Sequence, residues 1–169
     1  MPPSKEFLIT NYFKKGKACI YGAKLLSKKT KAKGTEEILL IHGVELLLSV
    51  FLLLEDKSIK RTRDVYNKYG HDYFKIYQRC KEIDKQGVLE TFDSLGEYLH
   101  SSERGYFKNS IEARFPDNPK LHTLPPSFYS VIDKKLIPKL EELMSFKFDL
   151  ENFSPTVDEN LEWQQERYK

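Results

Sequence analysis

The apolar residues of the chain recur at helical spacing, and the segment from Ile38 to Leu54 is apolar almost throughout. Only three polar side chains interrupt it: His42, Glu45 and Ser49. A helix that is apolar on nearly all sides is typical of the centre of a bundle. Thr35, followed by two glutamates, provides a hydroxyl cap and acids where the helix dipole favours them. The sequence therefore predicts a buried central helix from Thr35 to Asp56.

Capping residues and helical spacing predict further helices around this one. The first runs from a Thr10 or Asn11 cap to about Ser27. The next two run from Ile59 to Tyr69, after a Ser58 cap, and from His71 to Gly87. The last two run from about Leu89 to Ser101 and, after a Ser127 cap, from Phe128 to about Ser145. Gly70 ends the helix Ile59 to Tyr69 in a left-handed turn, and Pro138 bends the helix that begins at Phe128. Residues 28–34 and 102–126 are predicted connectors. No strand pattern of useful length is present, so we expect an all-α fold, a compact bundle of four to five main helices.

Length and charge refine this arrangement. The 169 residues suit a single domain, with a helical core over about residues 10–145. An acidic extension, residues 146–169, follows and contains a short helix that begins at Ser154–Pro155. Residues 1–35 carry nine lysines and one glutamate, whereas residues 141–169 have a net charge of −5. Three interpretations of the basic end are open. It can attract nucleic acid or an acidic protein, or the acidic end can fold across it. Alternatively, the lysines are a solvated face of a helix.

The long apolar segment bears on whether the protein is in the membrane or in the cytoplasm. Its 17 residues are at the short limit for crossing a bilayer, and an unpaired glutamate near the middle would be costly there. The first ten residues have no apolar run of signal-peptide length. We therefore expect a cytoplasmic protein without a membrane partner.

Candidate chemistry is confined to a few polar residues. The glycines are scattered, and the four histidines lack metal-ligand spacing, so we predict neither a cofactor nor a metal site. His42, Glu45 and Ser49 form one polar stripe on the central helix, either a satisfied core network or a ligand set. At the next turn, His71 is either a capping residue that fastens the turn, a histidine whose tautomer Asp72 holds, or a donor near a helix N-terminus. A further hypothesis pairs Glu45 with Arg114.

Four segments, in this order and spacing, resemble the HEPN superfamily of helical bundles. They are Ala18-Cys19-Ile20-Tyr21-Gly22-Ala23, His42-Gly43-Val44-Glu45-Leu46, Tyr69-Gly70-His71-Asp72 and Arg114-Phe115-Pro116-Asp117. The resemblance implies a four- or five-helix bundle that often forms a homodimer. It also implies a context of prokaryotic defence or toxin–antitoxin systems, in which many members are metal-independent RNases. Those enzymes use an Arg and a His separated by four to six residues, across the dimer cleft.

Here, seven residues lie between Arg63 and His71, and seven between Arg114 and His122. An extra residue turns a helical side chain by about 100°, off the shared face. We therefore predict a non-catalytic HEPN-like module that dimerises and binds a protein, nucleic-acid or nucleotide partner. The binding candidates are His42, Glu45, Ser49, His71, Asp72 and Arg114. The alternative is an endoribonuclease that uses His71 with Arg63 or Arg114. A third hypothesis is a nucleotide cleft lined by His42, Glu45, His71 and Arg114.

Overall fold

A computed structural model describes residues 4–28, 33–85, 87, 89 and 126–148, and these residues are mostly helical, with no strand among them. The all-α fold is thereby confirmed. The helices are α1 (Lys5–Leu26), α2 (Lys33–Glu55), α3 (Thr62–Tyr69), α4 (Tyr73–Ile83) and α5 (residues 126–147). Helix α5 joins Pro126–Val131, a π-helical segment Ile132–Leu136 and Ile137–Lys147 without a break.

The central position of α2 is also confirmed. Its side chains from Leu40 to Leu54 are buried, apart from half-buried His42, against α1, α3, α4 and α5. In the part of the chain that the structure describes, Ile38–Glu55 is the one window long and apolar enough to span a membrane, and 78% of it is buried inside the protein. Contacts within the bundle thus account for the apolar character of this helix.

Two glycines allow α1 and α2 to approach closely as an antiparallel pair. A Cβ atom added to Gly43 would lie 2.7 Å from Cδ1 of Ile20, and one added to Gly16 would lie 3.0 Å from the Leu47 side chain. Such distances are shorter than a van der Waals contact, so a larger residue would push the helices apart.

Helix α5 lies parallel to α2. The Tyr129 hydroxyl donates to buried Glu36 at the N-terminal end of α2, and Lys147 Nζ donates to the Leu54 carbonyl at the other end, at 2.7 Å. Ion pairs Lys17–Glu141 and Lys24–Asp133 join α5 to α1, which runs antiparallel to it.

Several helix boundaries differ from the predicted ones. Helix α1 begins at Lys5 because Ser4 Oγ accepts the Phe7 amide at 3.1 Å, so the predicted cap at Thr10 or Asn11 is wrong. The start of α2 at Lys33 places Thr35 inside the helix, where it is not the cap.

Helix α3 begins at Thr62, three residues after the predicted start, because Ser58 is held by Asp56 instead of capping it. The Asp64 carboxylate takes over the capping role by accepting the amides of Lys60 and Arg61, at 3.0 and 2.9 Å. The left-handed turn at Gly70, with φ of 63°, is confirmed.

At Pro138, where a bend was predicted, helix α5 continues, and a π-helical segment, Ile132–Leu136, ends two residues before the proline. Proline lacks an amide hydrogen, and its ring collides with the carbonyl four residues earlier in a regular helix. An inserted π turn relieves that collision while the helix continues. Helix α5 begins at Pro126, so Ser127 lies within it and does not precede it. Helix α4 ends at Ile83, before the predicted stop at Gly87.

Three predictions fall outside the described residues. They are the helix after Leu89, the connector and Arg114 within residues 90–125, and the helix of the acidic extension.

Candidate functional site

A fully buried carboxylate and a partly exposed imidazole form the centre of the candidate site. Glu45 lies in the middle of α2 with none of its side chain exposed, and its Oε1 is 2.7 Å from Nδ1 of His71. The turn at Gly70 places His71 between α3 and α4, with 42% of its side chain exposed. A carboxylate accepts, so Nδ1 carries the hydrogen and Nε2 is the nitrogen that can meet a ligand. This is the orientation in which a histidine binds an anion or transfers a proton.

The other two members of the α2 stripe are placed differently. His42 Nδ1 is 3.9 Å from Glu45 Oε2, which is too far for a hydrogen bond, and that nitrogen is buried with no hydrogen-bond partner among the described residues. Ser49 Oγ donates to the Glu45 main-chain carbonyl at 2.8 Å, so it serves its own helix. Glu45 is therefore the member of this polar stripe that contacts His71, at the corner formed by α2 and the turn between α3 and α4.

Two tyrosines, which sequence reasoning did not single out for the site, complete this corner. The Tyr66 ring is tilted against that of His71, with 4.7 Å between the centroids. Burial raises the pKa of Tyr66, and the Glu45 charge and a hydrogen bond with Tyr12 raise it further. Tyr66 is thus a neutral phenol that packs against the imidazole. The sequence feature that could have identified Tyr66 as part of the site is its position five residues before His71, on the inner face of a short helix.

Two of the remaining candidates, Asp72 and Arg63, form no hydrogen bond with His71 in the described part of the chain. Asp72 caps α4, since its Oδ1 accepts the Lys75 amide at 3.1 Å, and the carboxylate beside His71 Nδ1 belongs to Glu45. Arg63 is exposed, two residues before buried Val65 and therefore about 200° around α3 from it. Arg114, the other predicted partner of His71, lies outside the described residues.

A second polar centre lies at the far end of α4. Asp56 follows α2, its side chain is 4% exposed, and its carboxylate accepts Arg79 Nε at 2.8 Å. Ser58 contributes its amide at 2.9 Å and its hydroxyl at 2.7 Å. Burial alone would raise the pKa of Asp56, but the hydrogen bonds from Arg79 and Ser58 and the Arg79 charge outweigh it and lower the pKa to about 2.

An open groove of about 390 Å³ lies beside this centre, between the end of α3 and α4. It is lined by Lys68, Tyr69, Lys75, Gln78, Arg79 and Glu82. Sequence reasoning missed both the groove and the Asp56–Arg79 pair.

No cluster of three or more His, Cys, Asp or Glu side chains that could hold a metal occurs within residues 4–28, 33–85, 87, 89 and 126–148. No protein-family model, curated protein or solved structure matches the chain.

Proposed function

We propose that the chain is a HEPN-like module that binds RNA through the surface of residues 57–81, with His71 at its centre, and does not cleave it. One observation carries the proposal: buried Glu45 fixes a partly exposed His71 inside a basic surface of the described part of the chain. Residues 57–81 contain eight lysines and arginines and only two aspartates. Seven of the eight cations are exposed: Lys57, Lys60, Arg61, Arg63, Lys68, Lys75 and Lys81.

The electrostatics favour this surface over α1. Lys17 and Lys24 of α1 already pair with Glu141 and Asp133 of α5, whereas Lys60 and Arg63, at the start of α3, are exposed. Exposed cations attract the phosphate backbone and release its counterions, which supplies most sequence-independent affinity. In this proposal Arg63 contacts phosphate from its outward position, and His71 donates from Nε2 when it is protonated.

The absence of cleavage rests on the position of Arg63. Metal-independent cleavage requires a cation beside the reacting phosphate as well as a histidine that moves the proton. Arg63 is exposed, and the described residues contain no hydrogen bond or ion pair between Arg63 and His71, so Arg63 is not held beside the imidazole.

The experiment is a salt-dependent titration of single-stranded RNA with the wild type and two doubly substituted variants. We expect Lys60→Glu/Arg63→Glu to weaken binding at least tenfold and to reduce the slope of log affinity against log salt by about 0.7 for each phosphate that the variant no longer neutralises. Lys14→Glu/Lys28→Glu changes the total charge equally at exposed lysines elsewhere, and we expect less than a threefold effect. Equal weakening in both variants, or binding insensitive to salt, would refute the proposal and leave a protein partner as the better hypothesis.

We further propose that the module works in the cytoplasm as a homodimer. The resemblance supplies this expectation, and the exposed side chains Tyr21 and Leu25, one turn apart on α1, support it as an apolar contact. Light scattering after gel filtration should give twice the mass of one chain, and Tyr21→Glu/Leu25→Glu should give a monomer. A wild type that elutes as a monomer at micromolar concentration would contradict this part.

The second candidate is a metal-independent endoribonuclease, favoured specifically by the 2.7 Å contact between Glu45 and His71. A buried carboxylate that orients an exposed histidine is the arrangement of a general base and its positioning residue. This candidate predicts RNA cleavage in EDTA that is lost in His71→Ala and retained in His122→Ala. Glu45→Gln should shift the pH profile of the cleavage rate. Intact RNA after incubation with the wild type would exclude it.

A nucleotide cleft at His42, Glu45, His71 and Arg114 is tested separately by thermal melts with a nucleotide panel. A ligand at 100 times its dissociation constant stabilises the folded state by about 2.7 kcal/mol. A flat response across the panel would reject it.

A further inference from the structure

The groove between α3 and α4 is lined mainly by cationic side chains. Three cations line its 390 Å³, Lys68 from the end of α3 and Lys75 and Arg79 from α4, against one exposed acid, Glu82. A second acid, Asp56, lies buried beside them and also pairs with Arg79. The three cations thus face two acids, and the groove keeps a small excess of positive charge in a concave surface.

Arg79 is held rigidly in this groove. Its Nε donates to Asp56 at 2.8 Å and its Nη1 donates to Glu82 at 3.0 Å, and these hydrogen bonds raise the pKa of the guanidinium above its ordinary value. With Nε and Nη1 engaged, Nη2 is the guanidinium nitrogen left to donate to a ligand, and a charged donor held in place in this way suits an oxyanion.

The two lysines are weakly engaged and can turn toward a ligand. Lys68 Nζ is 3.5 Å from Ser58 Oγ, and Lys75 Nζ is 3.6 Å from Asp72 with 66% of its side chain exposed. The Tyr69 hydroxyl is buried beneath them and has no hydrogen-bond partner among the described residues.

We infer that the α3–α4 groove is a phosphate-binding site, in which Arg79 supplies a fixed charged donor and Lys68 and Lys75 close over the oxyanion. The phosphate belongs either to an RNA backbone or to a free nucleotide, and the chemistry of recognition is the same. The assignment of the RNA phosphate to this groove rests on the proposed function. Binding of a free phosphate compound does not.

The test uses two probes, inorganic pyrophosphate by calorimetry and a single-stranded oligoribonucleotide by fluorescence anisotropy, with the full chain at low salt. Lys68→Gln/Lys75→Gln removes two groove cations whose contacts are too weak to hold the fold, and Arg79 stays in place. Lys14→Gln/Lys28→Gln is the matched control, with the same loss of charge at exposed lysines outside the groove. We expect the groove variant to lose at least tenfold in pyrophosphate affinity, the control to stay within twofold, and pyrophosphate to compete with the RNA.

The outcomes separate this inference from the proposed function. Pyrophosphate binding that is abolished in the groove variant, with no RNA binding by the wild type, supports the groove as a site for a free phosphate compound and refutes the RNA function. RNA binding that falls no further in the groove variant than in the control, without pyrophosphate binding, refutes the groove and leaves the RNA function standing. If neither probe binds, both are refuted.

Discussion

The buried pair of Asp56 and Arg79 gives the sharpest prediction of stability. Asparagine at position 56 keeps the shape of the side chain and one acceptor oxygen but removes the charge that Arg79 and Ser58 stabilise. Because the Asp56 side chain is only 4% exposed, little solvent screening weakens these interactions. We therefore expect Asp56→Asn to destabilise the fold in a way that depends on pH.

The magnitude follows from the pKa. Folding lowers the pKa of Asp56 from 3.8 to about 2. That difference corresponds to about 2 kcal/mol of stability from the ionised form. A lowered folded-state pKa means that this stability is present above the unfolded-state pKa and is lost as the pH falls through the folded-state value. Linkage gives a loss of about 1 kcal/mol by pH 3, so the difference between the wild type and Asp56→Asn should fall from about 2 to about 1 kcal/mol.

Urea unfolding followed by far-ultraviolet circular dichroism at pH 7, 5, 4 and 3 measures this difference directly. Glu82→Gln is the matched control, because Glu82 contacts the same Arg79 from an exposed position, with 65% of its side chain in solvent. An exposed ion pair contributes at most about 1 kcal/mol, so this variant should stay close to the wild type at every pH. A loss in Asp56→Asn that is equal at pH 7 and pH 3 would refute the reasoning, since the cost would then come from shape and not from charge.

Two further predictions concern the packing around α2, both measured by urea unfolding. Gly43→Ala should destabilise the fold by about 1–3 kcal/mol, because its Cβ would lie 2.7 Å from Ile20 Cδ1. Gly22→Ala, whose Cβ would approach its nearest side-chain atom at 3.3 Å, should be neutral or stabilise by up to about 1 kcal/mol; an equal loss in both would contradict the close-approach argument. Tyr129→Phe should cost about 1–3 kcal/mol because buried Glu36 loses a donor, and an unchanged stability would show that this hydrogen bond contributes nothing.

The central helix and one contact of the candidate site were predictable from sequence for a clear physical reason. Seventeen almost uninterrupted apolar residues must be enclosed, and a glutamate among them must then meet a polar group. The sequence offered Arg114 and the His71 turn as polar groups for Glu45, and the hypothesis of a cleft lined by both Glu45 and His71 agrees with the contact between them. Burial predicts that such a partner exists, but it does not by itself select which one.

The Asp56–Arg79 pair was not predictable in the same way. Residues 57–81 offer eight cations, and sequence gives no reason to choose Arg79 among them as the partner of an aspartate at a helix end. The choice depends on how α4 rotates against α2, which side-chain packing decides. The early start of α1 was missed for a local reason, since the Ser4 cap lies before the apolar pattern that begins at Phe7.

Helix α4 is fastened to α2 at both ends, by His71 on Glu45 and by Arg79 on Asp56. Along α2 these anchor points are roughly 16 Å apart, given a rise of about 1.5 Å per residue. Two separated attachments prevent α4 from rolling or sliding unless both break together. The cationic surface carried by α4 is consequently preorganised, so a partner that docks there spends little of its binding energy on immobilising the protein.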